Sequence, residues 1–124
     1  MVSATNAKSK EADKYFKKGE GALKTGLFKW SADFTGGLMH FEKSAKLYKE
    51  ACDDARAVNA HLRAADCAEK SNECLLAAEN YASAAQLHDG DAKQSLEWIQ
   101  RADNFFKIEG QLYRGSTLMK QLAN

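Results

Sequence analysis

Phe41-Glu42-Lys43-Ser44-Ala45-Lys46-Leu47-Tyr48 sets a ring, an alanine four residues on and a second ring seven residues on. Residues at those spacings share one face of a helix, so a large side chain stands beside a methyl group, and a neighbouring helix can approach closely over the hollow. The same beat returns in His61-Leu-Arg-Ala-Ala65-Asp-Cys-Ala68, Tyr81-Ala-Ser-Ala-Ala85-Gln-Leu-His88 and Trp98-Ile-Gln-Arg-Ala102-Asp-Asn-Phe105, although two copies end on Ala68 and His88. A weaker fifth copy starts at Leu118, with Leu122 four residues on. The leading positions 41, 61, 81, 98 and 118 lie 20, 20, 17 and 20 residues apart, about one helix and a turn each time. Two units make a helical hairpin of roughly 37–40 residues, the period of tetratricopeptide-like repeats.

One-sided apolar stripes support the same division. Ser95, Trp98, Ile99, Ala102, Phe105 and Phe106 follow helical spacing, as do Val58, His61, Leu62, Ala65 and Ala68. Start signals fall at Asp53-Asp54, at Ser71-Asn72, and at Asp91 with Gln94 three residues later in a capping-box pattern. Gly90 and Gly110 read as stops. The expected helices are 7–24, 34–51, 55–70, 73–88, 92–109 and 111–123. A lone hairpin cannot bury its stripe, so the pairs must stack side by side. The fold class is all-α: tetratricopeptide-like antiparallel helix hairpins forming a right-handed twisted α-solenoid sheet, one domain over 1–124. The last helix carries Leu112, Leu118, Met119 and Leu122 with no polar capping element after it. That predicts a chain that continues beyond Asn124 or pairs through this end.

Composition agrees with helix nearly throughout. The 124 residues contain no proline and are 44% apolar, enough for one modest core. The net charge of +1 provides no overall field to draw the chain onto nucleic acid. Cys52, Cys67 and Cys74 match neither a disulfide framework nor a CxxC motif, which fits a reducing cytosol. No apolar run has the length of a signal peptide's core at the N-terminus or of a membrane span elsewhere, so neither is expected. Residues 1–30 nevertheless hold seven lysines against three acids. They form either an ordinary solvated helix face or a surface attracted to anionic lipid, where each well-placed lysine contributes about 1 kcal/mol.

The candidate site is the connector Thr25-Gly-Leu-Phe-Lys-Trp-Ser-Ala-Asp-Phe34. Connectors run over the surface and are normally polar, yet this one carries Leu27, Phe28 and Trp30 around Lys29. Either it folds back with Trp30 or Phe34 stapled onto the second helix, or Leu27 and Phe28 stay exposed and enter a lipid interface beside the lysine. Enzyme chemistry finds little footing, and no catalytic, cofactor or metal residue is assigned. His61 and Cys67 are six apart on one helix and point in different directions, His61 occupying the bulky repeat position. His40, His61 and His88 are too scattered for a metal site, and no phosphate-cradling glycine motif is present. Gly36-Gly37 reads as a helix start thinned for close packing.

The run Ala22-Leu-Lys-Thr-Gly-Leu-Phe-Lys-Trp-Ser-Ala-Asp-Phe34, followed by Phe41-Glu-Lys-Ser-Ala-Lys-Leu-Tyr-Lys-Glu-Ala51 and Tyr81-Ala-Ser-Ala-Ala85, resembles the N-terminal part of the soluble NSF attachment proteins, closest to the gamma branch. The likeness runs from about Glu11 to the end, and Lys29-Trp30 with Asp33-Phe34 is its most specific element. It implies a cytosolic adaptor, peripherally associated with membranes, that coats SNARE bundles and recruits a hexameric NSF-type ATPase to pull them apart. It also implies that Leu27, Phe28 and Trp30, with Lys29 among them, touch the membrane surface. Family members are longer, and the C-terminal bundle that engages the ATPase is absent from these residues; the chain alone is therefore expected not to stimulate it. No cofactor and no nucleic-acid partner is implied. One rival function is a generic tetratricopeptide-like scaffold that grips peptides and never meets lipid or SNAREs. The other is an enzyme or regulatory subunit using the region of His61 and Cys67.

Overall fold

The computed structural model describes residues 2–25 and 30–123, with side chains for 4–25 and 30–112. Among the described residues five helices follow one another: α1 (Val2–Leu23), α2 (Phe34–Glu50), α3 (Asp54–Lys70), α4 (Cys74–Leu87) and α5 (Ala92–Ala123). Each packs chiefly against the helices before and after it, which makes an open antiparallel layer of hairpins rather than a closed bundle. No strand occurs among the described residues.

Alanine sets the spacing. On α3, Ala57, Ala60, Ala64, Ala65 and Ala68 are all fully buried, so helices can close on it from both sides. Three patches of core step along the layer. The first joins Leu38 and Phe41 of α2 to Ala64, Cys67 and Ala68 of α3 and Ala77 of α4, with Phe16, Leu23 and Phe34 around them. The second unites Ala12, Ala45, Tyr48, Ala57 and Ala60; the third unites Ala65, Ala78, Tyr81 and Ala102 against Trp98 and Phe105. The beat led by Phe41 is thus the core face. His61 departs from it: the ring is half-buried and bonded to Asn80 rather than enclosed among apolar groups.

Two turns repeat the 20-residue period in backbone form. Cys52 (φ 62°) and Asn72 (φ 60°) both take the left-handed conformation after a helix. The next residue in each case reaches back, Asp53 N–H to Tyr48 O at 2.9 Å and Glu73 N–H to Ala68 O at 2.8 Å. That pairing satisfies the free carbonyls of the helix end, and it ordinarily has glycine or asparagine at the left-handed position. Cys52 is neither, and a β-carbon there costs about 1–2 kcal/mol. Cys52→Gly should therefore raise stability by about 0.5–1 kcal/mol after the added freedom of the unfolded chain is deducted. Urea unfolding followed by circular dichroism checks this, and an unchanged or lower midpoint contradicts it.

Several helix boundaries differ from expectation. The segments 92–109 and 111–123 are one helix, α5, of 32 residues that passes through Gly110. A glycine stop needs positive φ, and no described glycine adopts it. Ser71-Asn72 closes α3 instead of opening α4: Ser71 Oγ donates to Cys67 O at 2.9 Å, and α4 starts from Glu73 without a side-chain cap. Asp53 does cap α3, accepting from Arg56 N–H at 3.2 Å. Asp91 accepts from Lys93 N–H at 3.0 Å, but Gln94 bonds Glu97 rather than completing a box. In the third copy of the beat Ala84, not Ala85, is the fully buried alanine.

Candidate functional site

The connector between α1 and α2 is clamped at both ends. Asp33 N–H donates to Ala22 O at 2.8 Å, which draws its two ends together. The Asp33 carboxylate accepts from Gly36 N–H at 2.9 Å and caps α2. A β-carbon at Gly36 would fall 2.3 Å from that carboxylate, so glycine here leaves room for the cap. Gly37 is buried, and a β-carbon on it would meet Leu23 at 3.0 Å and the Cys67 sulfur at 3.2 Å. Of the two glycines, Gly37 therefore serves close packing, whereas Gly36 serves the cap. Phe34 joins the first core patch, with Lys70 Nζ 5.4 Å from its ring centre.

With Phe34 anchored, the stapling role falls to it and not to Trp30. Trp30 is 92% exposed. Leu27, Phe28 and Lys29 lie outside the described residues. Burying a Trp removes roughly 150–250 Å² from water, worth about 4–6 kcal/mol at ~25 cal/mol per Å². A free indole on a clamped loop is therefore a ready contact for an apolar partner or a lipid interface.

The lysines divide into two groups. Lys8 pairs with Glu50 at 3.2 Å, and Lys18 and Lys43 lie over the Tyr15 ring at 4.9 and 4.6 Å, with His40 stacked beside it. Lys10, Lys14, Lys17 and Lys24 are exposed and join no ion pair among the described residues. Of the second group, Lys10, Lys14 and Lys17 supply a positive face to α1, and Lys24 follows directly after its end.

The His61, Asp66 and Cys67 trio goes to three separate environments. His61 Nδ1 is 2.9 Å from Asn80 Oδ1, and Asn80 Nδ2 donates to Glu42 Oε2 and Leu76 O, each at 2.9 Å. Burial pushes the His61 pKa down, with the Asn80 bond opposing it. Asp66 pairs with Lys70 at 3.0 Å. Cys67 is enclosed in the first core patch, where burial raises its thiol pKa, the reverse of what a nucleophile needs. Asn80, only 3% exposed, ties α2, α3 and α4 together. Its one sequence signal was a polar residue inside the stripe of Ala77, Ala78 and Tyr81. No group of three or more His, Cys, Asp or Glu positioned to hold a metal occurs among the described residues. None of the described helices is long and apolar enough to cross a membrane.

A cleft that the sequence did not suggest opens at the other end of the layer, where α3 begins and α4 ends, with Asp54, Leu62, Leu87, Asp89 and Trp98 among its lining. The His88 ring meets Trp98 edge-on at 4.9 Å between centres.

Comparison with curated protein sequences yields no significant match. Comparison with protein-family models matches residues 4–124 to soluble NSF attachment protein, SNAP. That span takes in all of the described hairpins except the first two residues of α1, together with the clamped connector and its exposed indole, and the chain belongs to the soluble NSF attachment protein family.

Proposed function

We propose that this chain is a trafficking adaptor of the gamma type, which lays its hairpin layer along SNARE bundles while the α1–α2 connector touches the membrane. Membership of the family supports the SNARE-directed role and its link to disassembly by an NSF-type ATPase. The observation that carries the membrane half is Trp30, exposed on a connector whose ends are held by Asp33. In the sequence Leu27 and Phe28 add two apolar residues to the same connector, next to Lys29. Lys10, Lys14, Lys17 and Lys24, which join no ion pair among the described residues, add attraction to anionic headgroups at about 1 kcal/mol each. ATPase recruitment is assigned to no residue among 1–124. A peripheral contact of this kind needs both apolar insertion and charge, since either alone is weak and reversible.

Flotation with phosphatidylserine-containing vesicles tests the membrane half. The wild-type chain is expected to float, more weakly as salt rises. Replacing Leu27, Phe28 and Trp30 together by Ser should abolish flotation while the circular dichroism spectrum stays unchanged. Undiminished flotation of that variant overturns the connector's role.

A further inference from the structure

The cleft opposite the connector has a volume of about 600 Å³. It exists because α4 has 14 residues where α2 and α3 have 17, so α4 stops about one turn short. His88 then takes an extended conformation (φ −69°, ψ 121°) and leads the chain across to α5. The first turns of α3 and the flank of α5 are left facing open space.

The lining combines two kinds of surface. Val58, Leu62, Leu87 and the Trp98 indole supply apolar area, while Asp54 and Asp89 supply carboxylates; Asn59 and the His88 ring complete the lining, and no Lys or Arg among the described residues joins it. Asp53, Asp66 and Asp103 each have a basic partner, whereas Asp54 and Asp89 join no ion pair among the described residues. The site therefore offers an apolar wall and uncompensated negative charge to one occupant.

We infer that this cleft binds an arginine side chain, flanked by aliphatic residues, from a peptide segment of a partner protein. The three methylenes of arginine match the Val58, Leu62 and Leu87 wall. Its guanidinium can stack on an indole and meet carboxylates edge-on in the same pose, which a lysine ammonium cannot do. An acidic peptide is disfavoured because both carboxylates would oppose it and no Lys or Arg in the lining offsets them. The antiparallel order puts the 88–91 connection at the opposite end from the 24–33 connector, about 25 Å away along α3. This contact is thus independent of the membrane reading.

Trp98 is the reporter. In the full chain carrying Trp30→Phe, an exposed position remote from the cleft, tryptophan emission comes from Trp98 alone. Acetyl-Ala-Leu-Arg-Leu-Ala-amide is expected to change that emission saturably, and its Arg→Glu counterpart is expected not to. Asp54→Asn with Asp89→Asn should weaken the arginine peptide about tenfold or more. Raising the salt from about 0.05 to about 0.5 M should weaken it on the unaltered cleft, which keeps the test valid should the double variant misfold. The inference is overturned by equal titration with the two peptides, by an unchanged affinity in the folded double variant, or by no saturation up to about 1 mM.

Discussion

Phe41→Ala is expected to lower stability by about 3–5 kcal/mol, the range for removing a large ring from a closed core. Phe41 is the largest fully buried side chain among the described residues. Phe16 meets it edge-on at 5.1 Å, the Arg63 guanidinium lies 4.8 Å from its centre, and Leu38, Ala64, Cys67 and Ala68 complete the patch. Three successive helices would face the cavity at once. The α-helical backbones around it cannot collapse freely, because Asn80 and Ser44 fix their register, Ser44 Oγ donating to Ala12 O at 2.8 Å. Domains of this size are stable by about 5–15 kcal/mol, so the variant would lose a large part of its margin. Urea unfolding by circular dichroism measures the loss. Met39→Ala, two residues away but 66% exposed, should change stability by less than about 0.5 kcal/mol. Similar effects of the two substitutions would contradict the assignment of Phe41 to the core.

Gly19→Ala should destabilise by about 1–2 kcal/mol although alanine is the better helix former. A β-carbon at Gly19 would stand 2.8 Å from two carbons of the Phe41 ring, closer than real β-carbons come. The ring is enclosed and cannot swing aside, so α1 would have to lift from α2. That separation also strains the Gly37 contact, where Gly19 O lies 3.6 Å from a β-carbon position. Gly110→Ala is the matched comparison, since a β-carbon there meets nothing within 4 Å. It should gain about 0.5–1 kcal/mol from propensity alone. Opposite signs at two helical glycines separate close approach from intrinsic preference, and thermal unfolding of both variants reads them. A gain at Gly19 would mean that α1 does not pack as closely as described.

Both effects come from the contact between a ring on α2 and the absence of a side chain on α1. The ring was legible in the repeat, but its partner glycine was not. Gly19 and Gly21 look alike in sequence, and only the crossing of α1 over α2 assigns one to the interface.

What the sequence determined by itself is local or periodic. Spacings of four and seven place Phe41, Ala45, Tyr48, Ala65, Ala68 and Ala102 on buried faces, because helical geometry alone decides which residues share a side. Asp53 caps its helix because a carboxylate three residues before a free N–H needs no distant partner. Tertiary structure decided whatever depends on residues far apart in the chain. It joined Asp54, Leu87 and Trp98 into one cleft by ending α4 early, and it split the α5 stripe. There Ala102 and Phe105 turn inward against α4, while Ile99 and Phe106 remain exposed. It also anchored Phe34 and left Trp30 outside, since a ring's fate depends on whether a neighbouring helix has room for it.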